Sequence, residues 1–392
     1  MKKSVLFMLI NMNVGGTEKA LLNMISEMPR EKFEITLFML EKYGGFLDSI
    51  PSYVKVEYLK GYDKIKQQIK QPMHITALEF LKKGNFLKGF IIIFLFLISK
   101  ITKEKSLYYR YVLHDYPVLK NQYDIAVAYA GPMDFISYFI AYKTKSKRKI
   151  QWVHFDVNKI GFNTNFASKI YGKFDKIFVV SKEARKKLIN KIPDLEDKSE
   201  VFKNIISPGM IFDEAKKGKG FTDHFEGLRI LTVGRLSPEK GQDVAIKVLA
   251  RLITHGFKVK WYCLGEGSSR KTYENLIEEY NLKDHFILLG ADPNPYPYIK
   301  HCDIYVQPSR HEGYCITLAE ARFLKKPIVT TDFIGVKEQI RDGKTGLIVR
   351  FDENEIFNGV IKLINNKELC TEFSNNLSRD GFVHTTEIKK LL

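Results

Sequence analysis

The chain has 392 residues, more than one ordinary core holds, and that length fits two domains of about 150 to 200 residues with a cleft between them. Its 45% hydrophobic and 27% charged residues, with 28 Phe and 20 Tyr, exclude a disordered or fibrous chain. The formal charge of +17, from 62 Lys and Arg against 45 Asp and Glu, calls for an anionic partner; without zinc-finger spacing, an RNP-like motif or a basic zipper, nucleic acid is not expected, which leaves acidic lipid and phosphorylated substrates.

The N-terminal MKKSVLFMLI has the basic start of a signal peptide, but its short apolar run passes into NMNVGGTEKA without a small-residue cleavage site and reads as a first strand. Residues 4–10 are that strand, 11–16 a turn-rich loop, and 17–28 carry helical spacing at Ala20, Leu21, Met24 and Ile25. Further strands are expected at 33–40, 124–129, 149–154 and 176–180, and the apolar residues of 201–206 lead into the boundary. Apolar strands alternating with helices imply a parallel sheet covered on both faces.

One segment departs from this plan. FIIIFLFLI, residues 90–98, lies between lysines at 82, 83, 88, 100, 103 and 105. As a helix it spans about 14 Å, under half of a roughly 30 Å hydrocarbon core, so it does not cross a bilayer. Two readings stay open: a core helix of the first domain, or a basic-flanked patch lying in an anionic membrane face.

After the Ser207-Pro208-Gly209 turn, residues 215–227 have a linker composition. The alternation then restarts, with strands at 229–233, 258–264, 285–289, 303–308 and 327–331, helices at 242–254, 269–280, 297–301 and 316–325, and a helical region from 353. The expected fold is α/β, two doubly wound Rossmann-like domains facing a central cleft: 1–208, a linker 209–227, 228–375, and a helical segment 376–392 set to pack back on the first domain. The four cysteines, Cys263, Cys302, Cys315 and Cys370, form no C-x-x-C pair, so neither a metal knuckle nor a disulfide framework is indicated and a reducing cytosol suits them.

Chemistry gathers in RHEGYCITLAEARFLKK, residues 310–326. Glu312 follows a strand, at the carboxyl end where open α/β sheets bind ligands. Glu320 lies inside the next helix among Ile316, Thr317, Phe323 and Leu324, where a bare carboxylate is costly. Ribose hydroxyls could donate to it; pairing with Arg322, or solvation at the stripe's edge, are the plainer alternatives. Gly313 lets backbone N–H groups approach a ligand, and the helix start suits a phosphate. Arg235 and Lys240, leaving the strand RILTVG just before Gly241, could neutralise a diphosphate, although such side chains are usually solvated. Gly15 and Gly16 in NVGGTEK give an incomplete dinucleotide fingerprint. His154, in QWVHFD, ends a strand and is as readily structural as functional.

The segments VGRLSPEKGQDVAI, LGEGSSR, LLGADPNPYPYIKHCDIYVQPSRHEGYCITLAEA and GVKEQIRDGKTGLIV, with NVGGTEKALLNM and FVVSKEARKKL before them, resemble the retaining family-4 glycosyltransferases of the bacterial cell-surface polysaccharide type, which have the GT-B fold. The resemblance implies that Glu320 holds the ribose of a nucleotide sugar and that Arg235 and Lys240 bind its diphosphate. It implies that Glu312 and the backbone through Gly313, Tyr314, Cys315, Ile316 and Thr317 hold the donor sugar and phosphates, with Glu312 and His154 nearest the reaction. Gly16 would lie near the diphosphate and acceptor, and the loop at Gly290 and Ala291 would meet the base.

The implied reaction is retaining transfer of a hexosyl or N-acetylhexosaminyl group from a nucleoside diphosphate sugar, UDP-sugar first among the donors, to a saccharide acceptor, lipid-linked, at the inner face of a membrane. Front-face attack assisted by the leaving phosphate fits this inventory better than a covalent intermediate on Glu312. No cofactor and no metal are expected, and the sequence has no D-x-D cation site. Cys315 and Ile316 stand where many relatives have a small residue, which leaves sugar specificity open. The rivals are a GT-B sugar-nucleotide epimerase, an NAD-dependent oxidoreductase lacking the third fingerprint glycine, and a non-catalytic nucleotide-sugar or membrane binder.

Overall fold

A computed structural model describes residues 2–129, 133–159, 161–379 and 385–392. Apolar runs buried on both faces set the two sheets. The first sheet holds β1 (Lys3–Leu9), β2 (Phe33–Met39), β3 (Lys55–Tyr58), β4 (Gln122–Ala128), β5 (Lys145–Val153), β6 (Lys176–Val179) and β7 (Ser199–Val201). Its seven parallel strands run in the order β3-β2-β1-β4-β5-β6-β7. The second sheet holds β8 (Leu228–Val233), β9 (Val259–Leu264), β10 (Phe286–Gly290), β11 (Ile304–Gln307), β12 (Ile328–Thr331) and β13 (Leu347–Val349). Its six parallel strands run β10-β9-β8-β11-β12-β13.

Each sheet reverses its winding once, between β1 and β4 and between β8 and β11, and a crevice opens outside the carboxyl ends at such a switch point. The loops carrying Gly16, Arg235 and Glu312 all leave from these strands. Strands β3 and β13, with sequences KVEY and LIV, are short edge strands that the sequence reading passed over. Of the apolar residues of 201–206 only Val201 belongs to a strand; Phe202, Ile205 and Ile206 are buried beyond its end.

The stretch expected as linker begins with a helix, Pro208–Lys217. Its Ile211 and Ala215 are fully or nearly buried in one cluster with Tyr296 and Ile299, an i, i+4 pair that the surrounding polar residues concealed. At the other end of the second unit, helices Glu353–Ile364 and Lys367–Arg379 precede a 3-10 turn, Thr385–Leu391. Ile388 and Leu391 of this turn are buried in the first unit's core, and the Glu387 carboxylate accepts the Lys203 N–H at 3.1 Å.

Residues 90–98 fall within a helix, Phe86–Thr102, that packs on helix Met73–Lys82. Ile92 is buried there, while Phe90, Phe94 and Leu97 face outward. Among the described residues no helix is long and apolar enough to cross a membrane.

Candidate active site

The chain leaving β11 folds back on itself through side-chain hydrogen bonds. The Tyr305 hydroxyl donates to Gln307 Oε1 at 2.7 Å, Gln307 Nε2 donates to Ser309 Oγ at 2.9 Å, and Ser309 Oγ donates to Glu312 Oε1 at 2.8 Å. Lys240 Nζ closes the series on both Glu312 oxygens, at 2.6 and 2.8 Å. Burial is the strongest influence and works against the Lys240 charge, but its neighbours, Glu312 foremost and Glu239 among them, together hold the ammonium above the usual lysine range. The neighbouring Arg310 is otherwise engaged: its guanidinium grips Asp243 through two nitrogens, at 2.8 and 2.6 Å, and lies 4.6 Å from the Phe351 ring centroid.

Glu320 sits on the helix that follows, Ile316–Phe323, and is completely buried. The Tyr296 hydroxyl donates to its Oε1 at 2.9 Å, and its Oε2 has no hydrogen-bond partner. Burial pushes its pKa up to about 7, against the pull of Lys19 and Tyr296. Lys19 comes from the first unit, with its ammonium 4.6 Å from the Tyr296 ring centroid and 5.2 Å from that of Phe46. Burial lowers the Lys19 pKa, and Glu320 is the foremost charge opposing that shift. Tyr296, 24 positions away, is thus a hydrogen-bond donor to Glu320.

Two helix starts meet in the crevice. Helix Gly16–Glu27 begins so close to the second unit that a Cβ on Gly16 would lie 3.3 Å from Ile316 Cγ2. The free N–H groups and positive dipole ends of both helices therefore converge. Beside them a Cβ on Gly15 would lie 2.6 Å from Glu18 Oε2 and 4.0 Å from the Arg235 guanidinium, so Glu18 and Arg235 face each other across the gap. Burial raises the Glu18 pKa, its own backbone N–H and Arg235 opposing.

His154 is wedged between rings, 4.5 Å from the centroid of Tyr129 and 5.8 Å from that of Trp152, with Nε2 unpartnered. Burial pushes its pKa down to about 3, despite a hydrogen bond to the Tyr129 backbone, so the imidazole is neutral. Gly313 has a packing role of its own. The close approach its missing side chain allows is to the backbone of His154, since a Cβ there would fall 2.0 Å from the His154 oxygen.

Cys315 is buried with Sγ 3.3 Å from Thr317 Oγ1, which in turn donates to the Val233 carbonyl at 3.2 Å. Burial pushes the Cys315 thiol up to about 12, so it is a neutral wall. Tyr314 leans into the first unit's core. Gly290 lies beside Glu266 and Arg270 and Ala291 is exposed; Gly265 N–H donates to the Gly290 carbonyl at 2.7 Å, and the loop from there leads to Tyr296. Ten of the expected residues, Gly16, His154, Lys240, Glu312, Gly313, Tyr314, Cys315, Ile316, Thr317 and Glu320, are brought together where the two units meet, Cys315, Ile316 and Glu320 buried among them, with Arg235 near Gly15. Lys19, Glu18, Tyr296 and Ser309 were missed. Adjacency to Gly15-Gly16 was the only sequence signal for the first two.

Residues 222–380 match the family described as glycosyl transferases group 1. The chain is 32% identical over 215 residues to N-acetylgalactosamine-N,N'-diacetylbacillosaminyl-diphospho-undecaprenol 4-alpha-N-acetylgalactosaminyltransferase of Campylobacter jejuni, covering 54% of this chain and 57% of that one. It is 28% identical over 172 residues to poly(ribitol-phosphate) alpha-N-acetylglucosaminyltransferase of Staphylococcus aureus, covering 43% of this chain and 35% of that one. The matches thus span about a third to three-fifths of the length of these curated relatives. Solved structures align along the whole chain: Anabaena HepE in complex with UDP and glucose has a TM-score of 0.70 at 15% identity, covering 99% and 98% of the two chains. A Staphylococcus aureus TarM variant in complex with UDP has a TM-score of 0.71 at 16% identity, covering 99% of each. The glycosyltransferase from Rickettsia africae has a TM-score of 0.64 at 15% identity, covering 100% and 97%. Residues 222–380 therefore carry the glycosyl transferases group 1 sequence, on a chain whose two units together have the GT-B fold.

Proposed function

We propose that this chain is a retaining glycosyltransferase that moves a hexosyl or N-acetylhexosaminyl group from a nucleoside diphosphate sugar, a UDP-sugar in the first instance, to a saccharide or lipid-linked saccharide acceptor. The observation that carries the reading is the unpartnered, buried Oε2 of Glu320 beside two converging helix starts and the Lys240–Glu312 pair. A buried acceptor atom asks for donors, and ribose hydroxyls supply them. The helix starts, Arg235 and Lys240 together offer the positive surroundings that a diphosphate needs.

In this reading the bond between the anomeric carbon and the diphosphate oxygen breaks as the sugar becomes oxocarbenium-like. The acceptor oxygen attacks from the same face, and its proton passes to the leaving phosphate oxygen. Lys240 and Arg235 stabilise the leaving charge, which makes a metal ion unnecessary. Glu312, oriented by Ser309 and Lys240, holds a donor-sugar hydroxyl, and neutral His154 faces the sugar from the first unit.

The Campylobacter relative is named for a diphospho-undecaprenol-linked acceptor and the Staphylococcus relative for a poly(ribitol-phosphate) one, which supports a surface-glycan role. UDP in the HepE and TarM complexes supports the donor class. A GT-B epimerase would bind the same donor and need no acceptor; relatives named for transfer favour transfer. The test is a mass-spectrometric screen of UDP-, GDP- and ADP-sugars with detergent-solubilised bacterial lipid extract, using Glu320→Ala as control. A mass-shifted product from one donor, lost in the variant, is expected. Donor conversion without acceptor would replace transfer by epimerisation.

A further inference from the structure

Helix Phe86–Thr102 turns a greasy side to solvent. Phe86, Leu87, Phe90, Phe94, Leu97 and Ile101 are 62%, 74%, 63%, 63%, 54% and 82% exposed. At about 100° per residue these six fall within an arc of roughly 100°, one continuous stripe. Ile92 and Gly89 point the other way, and a Cβ on Gly89 would strike Leu81 Cδ2 at 2.5 Å, so the helix is pinned on helix Met73–Lys82 with the stripe outward. That second helix adds Ile75 and Leu78, 40% and 53% exposed. Scattered exposed apolar residues are ordinary; a contiguous stripe this long marks a contact surface.

Charge decides what the contact is. Lys82, Lys83, Lys88, Lys100, Lys103 and Lys105 are exposed at the two ends and along the edge of the stripe. Between residues 71 and 107 the only acids are Glu79 and Glu104, and Glu104 is buried against Lys169 at 2.7 Å. A second copy of the chain would press one cationic rim on another. An anionic bilayer matches both features, with acyl chains for the stripe and headgroups for the rim.

We infer that this face docks the protein on an anionic phospholipid surface, with helix Phe86–Thr102 lying in the plane of the interface over about 25 Å. The helix's carboxyl end is tied to the crevice side of the first unit: Asn165 Nδ2 donates to the Thr102 carbonyl at 3.1 Å, one residue into the helix, Thr164–Tyr171, that follows the loop opening at His154. The docked surface therefore runs toward the crevice, the direction from which a lipid-linked acceptor would come. That last consequence rests on the transfer reading; the docking itself does not.

The test is co-sedimentation of the full chain with vesicles of phosphatidylcholine alone and of phosphatidylcholine mixed with phosphatidylglycerol, over a salt series. Binding to the mixed vesicles only, weakened by salt, is expected. Phe90→Ser/Phe94→Ser and Lys82→Glu/Lys83→Glu/Lys88→Glu are each expected to weaken it by about tenfold or more, with circular dichroism unchanged. A fluorophore on Leu97→Cys, which leaves the packed side intact, should shift to the blue with mixed vesicles and not with neutral ones. Glu320→Ala should bind as the unaltered chain does, so loss of transfer and loss of docking stay separable. Failure to sediment with either vesicle, equal binding to both, or a dimer that Phe90→Ser/Phe94→Ser dissolves would each overturn the inference, the last by making a second copy the occupant.

Discussion

A Cβ on Gly313 would fall 2.0 Å from the His154 oxygen and 2.9 Å from Phe155 Cα, so the backbone after β11 touches the backbone after β5 with no room for a side chain. The closed crevice depends on that contact. Gly313→Ala should push the units apart by more than an ångström at the point where Gly313 and His154 meet. Because each unit keeps its own core, the thermal midpoint should move little. Transfer should fall by about a hundredfold, the usual effect of misplacing reacting groups by that distance. Kinetics beside a melting curve would check this, and near-normal turnover would show that the contact is dispensable.

Glu320 makes stability depend on pH in a defined direction. Its pKa is raised by burial from the ordinary 4.5 to about 7. Between those values the folded chain holds a proton that the unfolded chain has released, so this group's contribution falls as pH rises and levels off above about 7. Glu320→Gln lacks the effect. It should gain on the unaltered chain between about pH 5 and 7, by on the order of 2 kcal/mol in denaturant midpoints. Donor affinity should run oppositely, climbing with pH in the unaltered chain as the carboxylate ionises and can accept ribose hydroxyls, and staying flat in the variant. Parallel stability curves for the two proteins would count against a protonated Glu320.

How this site arises from the sequence differs residue by residue. The burial of Glu320 could be read from Ile316, Phe323 and Leu324 at helical spacing around it. Its partner Tyr296 could not, because it lies 24 positions away, on a helix that only the fold brings near. Lys19 reads as a solvated helix residue beside Ala20 and Leu21; the Tyr296 ring that covers it belongs to the other unit. Strands β1, β8 and β11 were plain as apolar runs, whereas β3 and β13 are too short to carry a period. For residues 90–98 the run was plain, but its outward side was fixed by Gly89 meeting Leu81, a packing fact.

The Lys240–Glu312 pair should behave as a unit. Side-chain exposures of 21% and 9% mean that water screens it only in part. Lys240→Met leaves the Glu312 carboxylate with Ser309 and without its cation, and should cost about 1–2 kcal/mol. Adding Glu312→Gln should recover about half of that, so a double-mutant cycle should return a coupling of about 1 kcal/mol. If Lys240 holds the leaving phosphate and Glu312 the donor sugar, as proposed, all three variants should lose transfer by at least about a hundredfold. Additive stability losses would mean that the pair forms no real interaction in solution.

Across the same crevice the units also exchange carboxylates. Glu338 Oε1 accepts the N–H groups of Lys182 and Glu183, at 2.8 and 3.3 Å, where helix Lys182–Lys191 begins. Glu183 Oε2 returns the favour at 3.1 Å to the N–H of Gly335, which opens the turn Val336–Glu338. Each unit thus caps a turn of the other, and neither cap exists once the units separate. Removing one should cost about 1 kcal/mol of closure while leaving both cores intact. Glu338→Ala and Glu183→Ala should each lower kcat/KM about fivefold with the thermal midpoint nearly unchanged, and the double variant should show roughly the product. The two Glu338 contacts are exposed and the Glu183 contact part-buried, so added salt should shrink the difference from the unaltered chain mainly for Glu338→Ala. A large drop in the thermal midpoint would instead make these carboxylates part of folding, with no special bearing on closure.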